Sequence, residues 1–337
     1  MKILVTGGAG YVGSILIPKL IEDGHYVKCL DRFFFGKTYL SSSKFKDNIE
    51  LIQDDIRWFK PEILNNVDVV IDLAALSNDP VGELNPEKTY EINHQGRARV
   101  AKLSKEAGVP RYILASSASI FGQVEGIADE NSEVFPLTAY SKANRKAEID
   151  NLALNDEGFT VTALRFSSLF GVSPRMRFDM AINEMVLELY KTKKITVRGK
   201  TNQRPFLHLK DAVNAYKLVL NASKENIAGQ IFNVGADKQN YKIGDLAEEV
   251  AKSIDVNCTL ELGDNKDHRS YFTSFKKFQD VLSFTPKFDV AYGAKEMFTA
   301  LKNHEINDSL ETFTLKWYKH IMSDEHLSKE FSIDGKL

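Results

Sequence analysis

The stretch KILVTGGAGYVG, residues 2–13, decides the fold. KILVT is an apolar run of strand length. From Tyr11 to Asp23, Ile15, Leu16, Leu20 and Ile21 recur at helical spacing. Between the two stand Gly7, Gly10 and Gly13, set in Thr6-Gly7-Gly8-Ala9-Gly10-Tyr11-Val12-Gly13. Glycines there allow a tight turn and a close approach of backbone to a pyrophosphate. The helix that follows offers free N–H groups and a partial positive charge. Any tight turn uses glycine, but here a strand precedes, a helix follows, and Asp31 ends the next apolar run, YVKCLD (26–31). An acid at that place accepts the ribose hydroxyls of NAD and repels a 2′-phosphate. Arg32 beside it leaves NADP as the alternative. Asp55-Ile56, after the third run, could bracket an adenine; a strand-end acid beside a core isoleucine is the plainer reading.

Outward from this loop, apolar runs alternate with helical patterns. IELIQDD (49–55), VDVVIDLAA (67–75), RYILASS (111–117) and TVTALRFS (160–167) continue the strands. One long helix is expected over Lys88 to Ala107, and another opens in PLTAYSKANRKAE (136–148). Runs that are apolar throughout suit a parallel sheet covered on both faces, and strand–helix alternation predicts a doubly wound α/β fold. From about Ser168 the pattern loosens. KITVRG (194–199) and QIFNVG (230–235) alternate with helices near 178–192, 211–223 and 243–254, which predicts a smaller α/β cap. Residues 1–167 are read as the dinucleotide-binding domain, with 205–235 threading back into it, and 168–204 and 236–337 as the substrate-binding cap. After Asn303, charges mix with Phe313, Leu315, Trp317 and Tyr318, the pattern of a final amphipathic helix.

A chain of 337 residues suits one large or two intimate domains. A net charge of −2 gives no pull toward nucleic acid or an anionic membrane. No apolar run reaches the roughly 18 residues of a membrane span, and MKILVTGGAG has no secretory h-region with a cleavage site. The two cysteines, Cys29 and Cys258, lie far apart without CxxC spacing. That argues against a zinc site or a disulfide framework and fits a reducing cytoplasm.

TGGAGYVG (6–13), Leu73-Ala74-Ala75, YEIN (90–93), SSASIFG (116–122), PxxxY (136–140), RFSSLFG (165–171), RPFLHLKDA (204–212) and DHRSY (267–271) follow one another in a specific order and spacing. On these motifs the chain resembles the extended short-chain dehydrogenase/reductases over about residues 1–300, and within them the NAD-dependent epimerase/dehydratase group that acts on nucleotide sugars. The resemblance implies a Rossmann sheet, NAD as cofactor, a nucleotide-sugar substrate, and a homodimer paired through the helices at 88–107 and 139–155. Ala139, Ala143 and Ala147 give the second helix a small-residue side, which core packing explains as well. Carried over position by position, Gly7, Gly10, Tyr11, Val12, Gly13, Asp31, Asp55, Ile56, Leu73, Ala74, Ala75 and Tyr140 hold the cofactor. Ser117 hydrogen-bonds the reacting sugar hydroxyl, and Tyr140 takes its proton while hydride passes to the nicotinamide.

One position departs from the pattern. The family has a lysine four residues after this tyrosine, which lowers the phenol and holds the nicotinamide ribose. Here Asn144 stands in its place, with Lys142 and Lys146 nearby. On a helix, i and i+4 share a face within about 40°, whereas i+2 points roughly opposite and i+6 about 120° away. Shifting the frame to make Lys142 the lysine would turn Thr138 into the base. It would also lose Pro136 four before Tyr140 and Glu148 eight after it. A phenol near pKa 10 has to come down to act as a base. Asn144 brings no charge, so Tyr140 is expected to sit about one to three units higher than with lysine, with slower chemistry at neutral pH.

Dehydratases of the group carry Asp-Glu after the Ser/Thr. Here the pair is Ala118-Ser119, which argues against 4,6-dehydration, and Ala118 also replaces the cysteine of fucose-synthase-like enzymes. What remains is oxidation of a hydroxyl, taken as C4, with hydride returned in an epimerase or lost in a dehydrogenase. The resemblance places Ser77, Asn93, Ser168, Arg175, Arg177, Arg204, Arg269 and Tyr271 at the substrate. Ser168 stands where many relatives have Asn. Arginine forks suit a pyrophosphate; a surface ion pair is the plainer reading of Arg204, and a solvated arginine that of Arg175, Arg177 and Arg269. SPRMR (173–177) with DxRxY (267–271) is similar to a subgroup that includes GDP-heptose C4 dehydrogenases. His208, in strand-like FLHL, reads as structural. Two other readings stay open: a silent relative that only binds cofactor and nucleotide sugar, and an asparagine introduced in place of lysine.

Overall fold

The first five apolar runs form β1 (Lys2–Thr6), β2 (Tyr26–Asp31), β3 (Ile49–Gln53), β4 (Val69–Asp72) and β5 (Arg111–Ser117). The computed structural model describes residues 1–263 and 269–337, so Asp267 and His268 of the DHRSY motif lie outside the described residues. Thr160–Phe166 and Ile231–Val234 complete a seven-stranded sheet in the order Ile231–Val234, Thr160–Phe166, β5, β4, β1, β2, β3. Every neighbouring pair is parallel. Strand order reverses between β1 and β4, so their outgoing connections diverge and open a crevice beyond the carboxyl ends.

The helices flanking this sheet are α1 (Gly13–Glu22), α2 (Asp79–Gly82), α3 (Pro86–Tyr90), α4 (Arg97–Glu106) and α5 (Ala139–Leu152), with Leu209–Asn221 later in the chain. Side chains alternate across the pleat. Ile3 and Val5 pack with Leu16 and Leu20 of α1 and with Val213 and Tyr216. Leu4 faces the opposite side, with Val100 and Ala101 of α4 and Ala147 of α5. Both faces are thereby covered, which is why the strands read as continuous apolar runs. This is the Rossmann-like fold of the extended short-chain dehydrogenase/reductases. A second layer forms around Phe178, Val186, Leu189, Leu246 and Met297. It carries a three-stranded sheet of Asn240–Lys242, Gln203–His208 and Ser168–Phe170.

The helix expected over Lys88–Ala107 differs in two ways. It starts at Pro86, because Asn85 caps it by accepting from Lys88 N at 3.1 Å and proline suits the first helical position. A π-helical segment, Glu91–Gly96, then interrupts it. The extra residue in that turn resets the facing of α4, a feature that 3.6-residue periodicity does not register. Arg97 falls on the buried stripe with Val100, Ala101 and Ser104.

Helix α5 starts where PLTAYSKANRKAE suggests. Thr138 accepts from Ser141 N, and Ser141 Oγ accepts from Thr138 N, a reciprocal cap. Tyr140 and Asn144 thus lie one turn apart on the inner face, and Lys142 and Lys146 are exposed. Glu148, buried a turn further on, anchors the helix: it accepts from Arg165 Nε and Nη2 at 2.9 Å each, from Ser116 Oγ at 2.6 Å and from Arg145 Nη1 at 3.0 Å. The segment after Asn303 forms two helices, Thr314–Ser323 and Glu325–Glu330. Among the described residues no helix is long and apolar enough to cross a membrane, and no group of three or more His, Cys, Asp or Glu side chains could hold a metal ion.

Removing one partner of a buried ion pair leaves an uncompensated charge. Glu148→Ala strands Arg165 and is expected to cost about 3–5 kcal/mol in urea denaturation. A loss below about 1 kcal/mol would show that α5 is anchored by its apolar contacts instead.

Candidate active site

A cleft of about 530 Å3 runs over the carboxyl ends of the sheet, lined by residues that follow β1, β2, β4, β5 and Thr160–Phe166. The size suits an organic ligand of cofactor dimensions. Its floor is set by the glycine turn. Gly7 has φ +64°, and a Cβ there would lie 2.7 Å from Ala74 N and Cα. Only glycine brings this turn against Leu73-Ala74-Ala75. A Cβ on Gly13 would lie 2.3 Å from Gly8 O. The start of α1 has no side-chain cap and no acid in its first turn, so its field is unopposed at the crevice. Gly10, Tyr11, Val12 and Gly13 line the same wall.

Asp31 stands at the end of β2. Its Oδ2 accepts from Ala9 N at 2.9 Å and its Oδ1 from Phe33 N at 2.7 Å. Each carboxylate oxygen keeps a further acceptor site for a hydroxyl. Burial pushes Asp31 up, against those two N–H donors and Arg175. Arg32 turns away from it. Its guanidinium donates to Asp55 Oδ2 at 2.8 Å, to Phe331 O at 2.6 Å and to Lys336 O at 3.0 Å, and lies 5.0 Å over the Phe34 ring. Those engagements leave it little to offer a 2′-phosphate. Burial would raise Asp55, but Arg57 and Arg32 hold it below the usual carboxylate range. Asp55 and Ile56 both line the cleft. Tyr11 crosses to the second layer, where its hydroxyl donates to Gly171 O at 2.6 Å and accepts from Asn183 Nδ2 at 3.0 Å.

At the other end Tyr140, Ser117 and Asn144 come together in the cleft wall. Ser117 Oγ donates to Ser119 Oγ at 2.9 Å and accepts from Ser119 N at 3.1 Å. Gly82 lets α2 lie against α5, since a Cβ there would be 2.7 Å from Tyr140 Cβ. Burial pushes the Tyr140 phenol above its ordinary value, and the Asp79 carboxylate pushes the same way. Ser117, the Arg97 guanidinium and the Asn144 amide pull it down. Asp79 accepts from Thr138 Oγ1 at 2.6 Å and pairs with Arg269. Asn144 Oδ1 accepts from Arg97 Nη1 at 2.9 Å, and its Nδ2 is buried without a partner. An orphaned donor at one end, a glycine cradle under a bare helix start, and a two-oxygen acceptor at the other end fit a dinucleotide laid along the cleft.

The substrate residues separate into places. Arg177 lies by Ser77, donating to its Oγ at 3.1 Å and its carbonyl at 3.2 Å, and pairs with Asp179 at 2.9 Å. Arg204 lies 4.9 Å over the Tyr271 ring, and both line the cleft with Arg269 and Ser168. Arg175 stands instead at the cofactor end, 3.6 Å over Phe35, donating to Thr314 Oγ1 at 2.9 Å. Asn93 is fully buried. It brackets Leu76, accepting from its N–H at 2.7 Å and donating to its carbonyl at 3.0 Å. Its contact is with the wall's backbone. His208 is buried too: Nδ1 accepts from Lys210 N at 3.2 Å and Nε2 meets Glu296 at 3.0 Å, a structural role as expected.

A sequence profile described as the "NAD dependent epimerase/dehydratase family" matches residues 3–235. The chain belongs to this family. Its cofactor is NAD. Among curated relatives, UDP-glucuronic acid decarboxylase 1 of Xenopus tropicalis is 32% identical over 299 residues, covering 85% of this chain and 68% of that protein. UDP-glucose 4-epimerase of Lactobacillus helveticus is 26% identical, covering 95% and 97%. Among solved structures, MoeE5 in complex with UDP-glucuronic acid and NAD superposes with a TM-score of 0.78 at 25% identity, over 90% of this chain and all of that one. UDP-glucuronic acid 4-epimerase from Bacillus cereus superposes with a TM-score of 0.80 at 23% identity, over 90% of this chain and all of that one, which bears on the fold alone.

This epimerase/dehydratase-family cleft also holds residues that the motifs did not reveal. Arg97, Asp79 and Phe35 are three, and Tyr318 and Met322, both from the helix Thr314–Ser323, are two more. Arg97 left one signal, an arginine on the apolar stripe of a helix. The last helices left none, because their approach depends on tertiary contacts such as Trp317 Nε1 donating to Phe34 O at 2.6 Å.

Gly7→Ala is expected to abolish NAD binding in calorimetric titration, because the left-handed turn and the Ala74 contact both reject a methyl group. Wild-type affinity in this variant would remove the glycine turn from the cofactor site.

Proposed function

We propose that this protein oxidises the C4 hydroxyl of a nucleotide-linked sugar, with Tyr140 as general base and Ser117 as the group that orients the reacting hydroxyl. The reading is carried by one observation: Tyr140, a half-buried phenol, sits with Ser117 and the Asn144 amide at one end of a dinucleotide-sized cleft. NAD, when bound, supplies the hydride acceptor. Ser119 fixes the Ser117 hydroxyl, so the sugar hydroxyl meets an oriented partner. Tyr140 takes the hydroxyl proton as the C–H bond breaks. Arg204, Arg269 and Tyr271 lie beyond it in the wall and suit a nucleotide diphosphate. Ala118 and Ser119 offer no acid to expel a neighbouring hydroxyl, so dehydration is disfavoured.

UDP sugars are the first substrates to try, since MoeE5 was solved with UDP-glucuronic acid and the curated relatives are UDP-sugar enzymes. Oxidation at C4 serves an epimerase, which returns the hydride, and a net dehydrogenase equally. On a glucuronate it places a ketone β to the carboxylate, which can then leave as CO2. Incubation with UDP-, GDP-, CDP- and dTDP-sugars, read by NADH absorbance and product analysis from neutral to alkaline pH, distinguishes these. Absence of turnover across the panel, with cofactor bound, would overturn the oxidoreductase reading.

Tyr140→Phe is expected to lower kcat by about 10²–10⁴-fold. The pH dependence has a definite sign. The phenolate is the active form, so the rate rises with pH through the raised Tyr140 pKa. Asp79 disfavours the phenolate. Asp79→Asn should therefore move the rising limb to lower pH, by about one unit. A limb that stays put or moves up would mean that another group titrates.

A further inference from the structure

Arg97 is 1% exposed and stands on the core-facing stripe of α4, where a leucine or methionine would fill the same space. Burying a guanidinium is unfavourable by several kcal/mol unless its donors are met. Here they are met on two sides. Nε faces Asp72 Oδ2 at 3.3 Å, and Nη2 donates to the main-chain carbonyls of Asp72, at 3.2 Å, and of Ala115. Nη1 is directed to Asn144 Oδ1 at 2.9 Å. A guanidinium has only donors, so the amide oxygen must face it. The Asn144 NH2 is then turned the other way, buried on the side of the Tyr140 phenol, which the amide pulls down.

We propose that Arg97 is the positioning residue of the reaction: it holds a positive charge behind Asn144, polarises that amide, and so favours the Tyr140 phenolate one helical turn away. The inference rests on Tyr140 being the base. Other charged and titratable groups face Tyr140 from the neighbouring elements: Asp79 from α2, Arg177 from the 173–180 segment, Tyr271 from Ser270–Thr273 and Tyr216 from Leu209–Asn221. Arg177 is matched by two hydrogen bonds to Asp179. Arg97 has the single, longer side-chain contact to Asp72, and Asp72 also takes hydrogen bonds from Thr6 and Tyr112. The negative charge behind Arg97 is thus shared among three donors, and the cation's forward side is left to Asn144. A charge delivered through α4 changes what is expected of the position one turn after Tyr140. A lysine placed there would meet a guanidinium already present.

The test reads Tyr140 directly, without substrate. Tyrosinate absorbance is titrated in the NAD-loaded protein, and the same titration of Tyr140→Phe is subtracted. Arg97→Gln should move the Tyr140 titration up by about one to three pH units, and Arg97→Lys should bring it most of the way back. Asn144→Lys alone, with two cations abutting, should lower Tm, and the double variant Arg97→Gln/Asn144→Lys should recover it. A folded, NAD-binding Arg97→Gln whose Tyr140 titrates as in the wild type would overturn the proposal. If Arg97→Gln does not fold, Asn144→Leu carries the test. It leaves Arg97 and Asp72 in place, and an unmoved Tyr140 there overturns the proposal equally. Because no sugar is involved, absence of turnover with every nucleotide sugar would sink the functional reading and leave this result standing.

Discussion

Asp72 ends β4 with no exposure to water, and it takes hydrogen bonds from Thr6 at the end of β1, from Tyr112 in β5 and from Arg97 in α4. A carboxylate in that position is tolerable only while those donors stay in place. It therefore ties together the three central strands, at the point where strand order reverses, and one covering helix. Thr6 also accepts from Ala74 N at 3.3 Å, which joins the glycine turn to the loop after β4. The crevice and the cation beside its reactive end are consequences of the same constraint. Moving either means unsatisfying a buried charge.

The parts of this arrangement legible in the sequence are those that depend on near neighbours. The strand–glycine–helix turn, Asp31 at a strand end and the opening of helix α5 in PLTAYSKANRKAE are all set within a few residues. Helical geometry alone put Lys142 and Lys146 on the wrong faces, and both are exposed. What the sequence did not show depends on widened turns or on distant packing. The π segment at Glu91–Gly96 is invisible to a regular period, and it sets the facing of Arg97. Arg175 and Arg177 stand two apart in one short motif, yet one lies over Phe35 and the other against Ser77, a difference that only the tertiary fold makes visible.

Asn144 looked like a deletion of charge. In the fold it is one end of a pair whose other end is already positive. Chemistry that asks for a cation near a phenol does not specify which helix must bring it, only that it be desolvated and close. The price of delivering it from α4 is a buried arginine and a carboxylate to steady it. On the proposed reading, that commits the core of the sheet to the reaction more deeply than a lysine reaching in from the surface helix would.

The Asp31 end of the cleft is closed by residues very far apart in the chain: Arg32 donates to Phe331 O across 299 positions, and Arg57 reaches Leu337 O across 280. The glycine cradle lies within a single strand–turn–helix unit, whereas the wall facing it is contributed from the far side of the chain. Until residues 317–337 have docked, a dinucleotide finds a floor but no roof. Any event that loosens residues 317–337 would therefore be felt at the cofactor cleft before the sheet beneath it is disturbed.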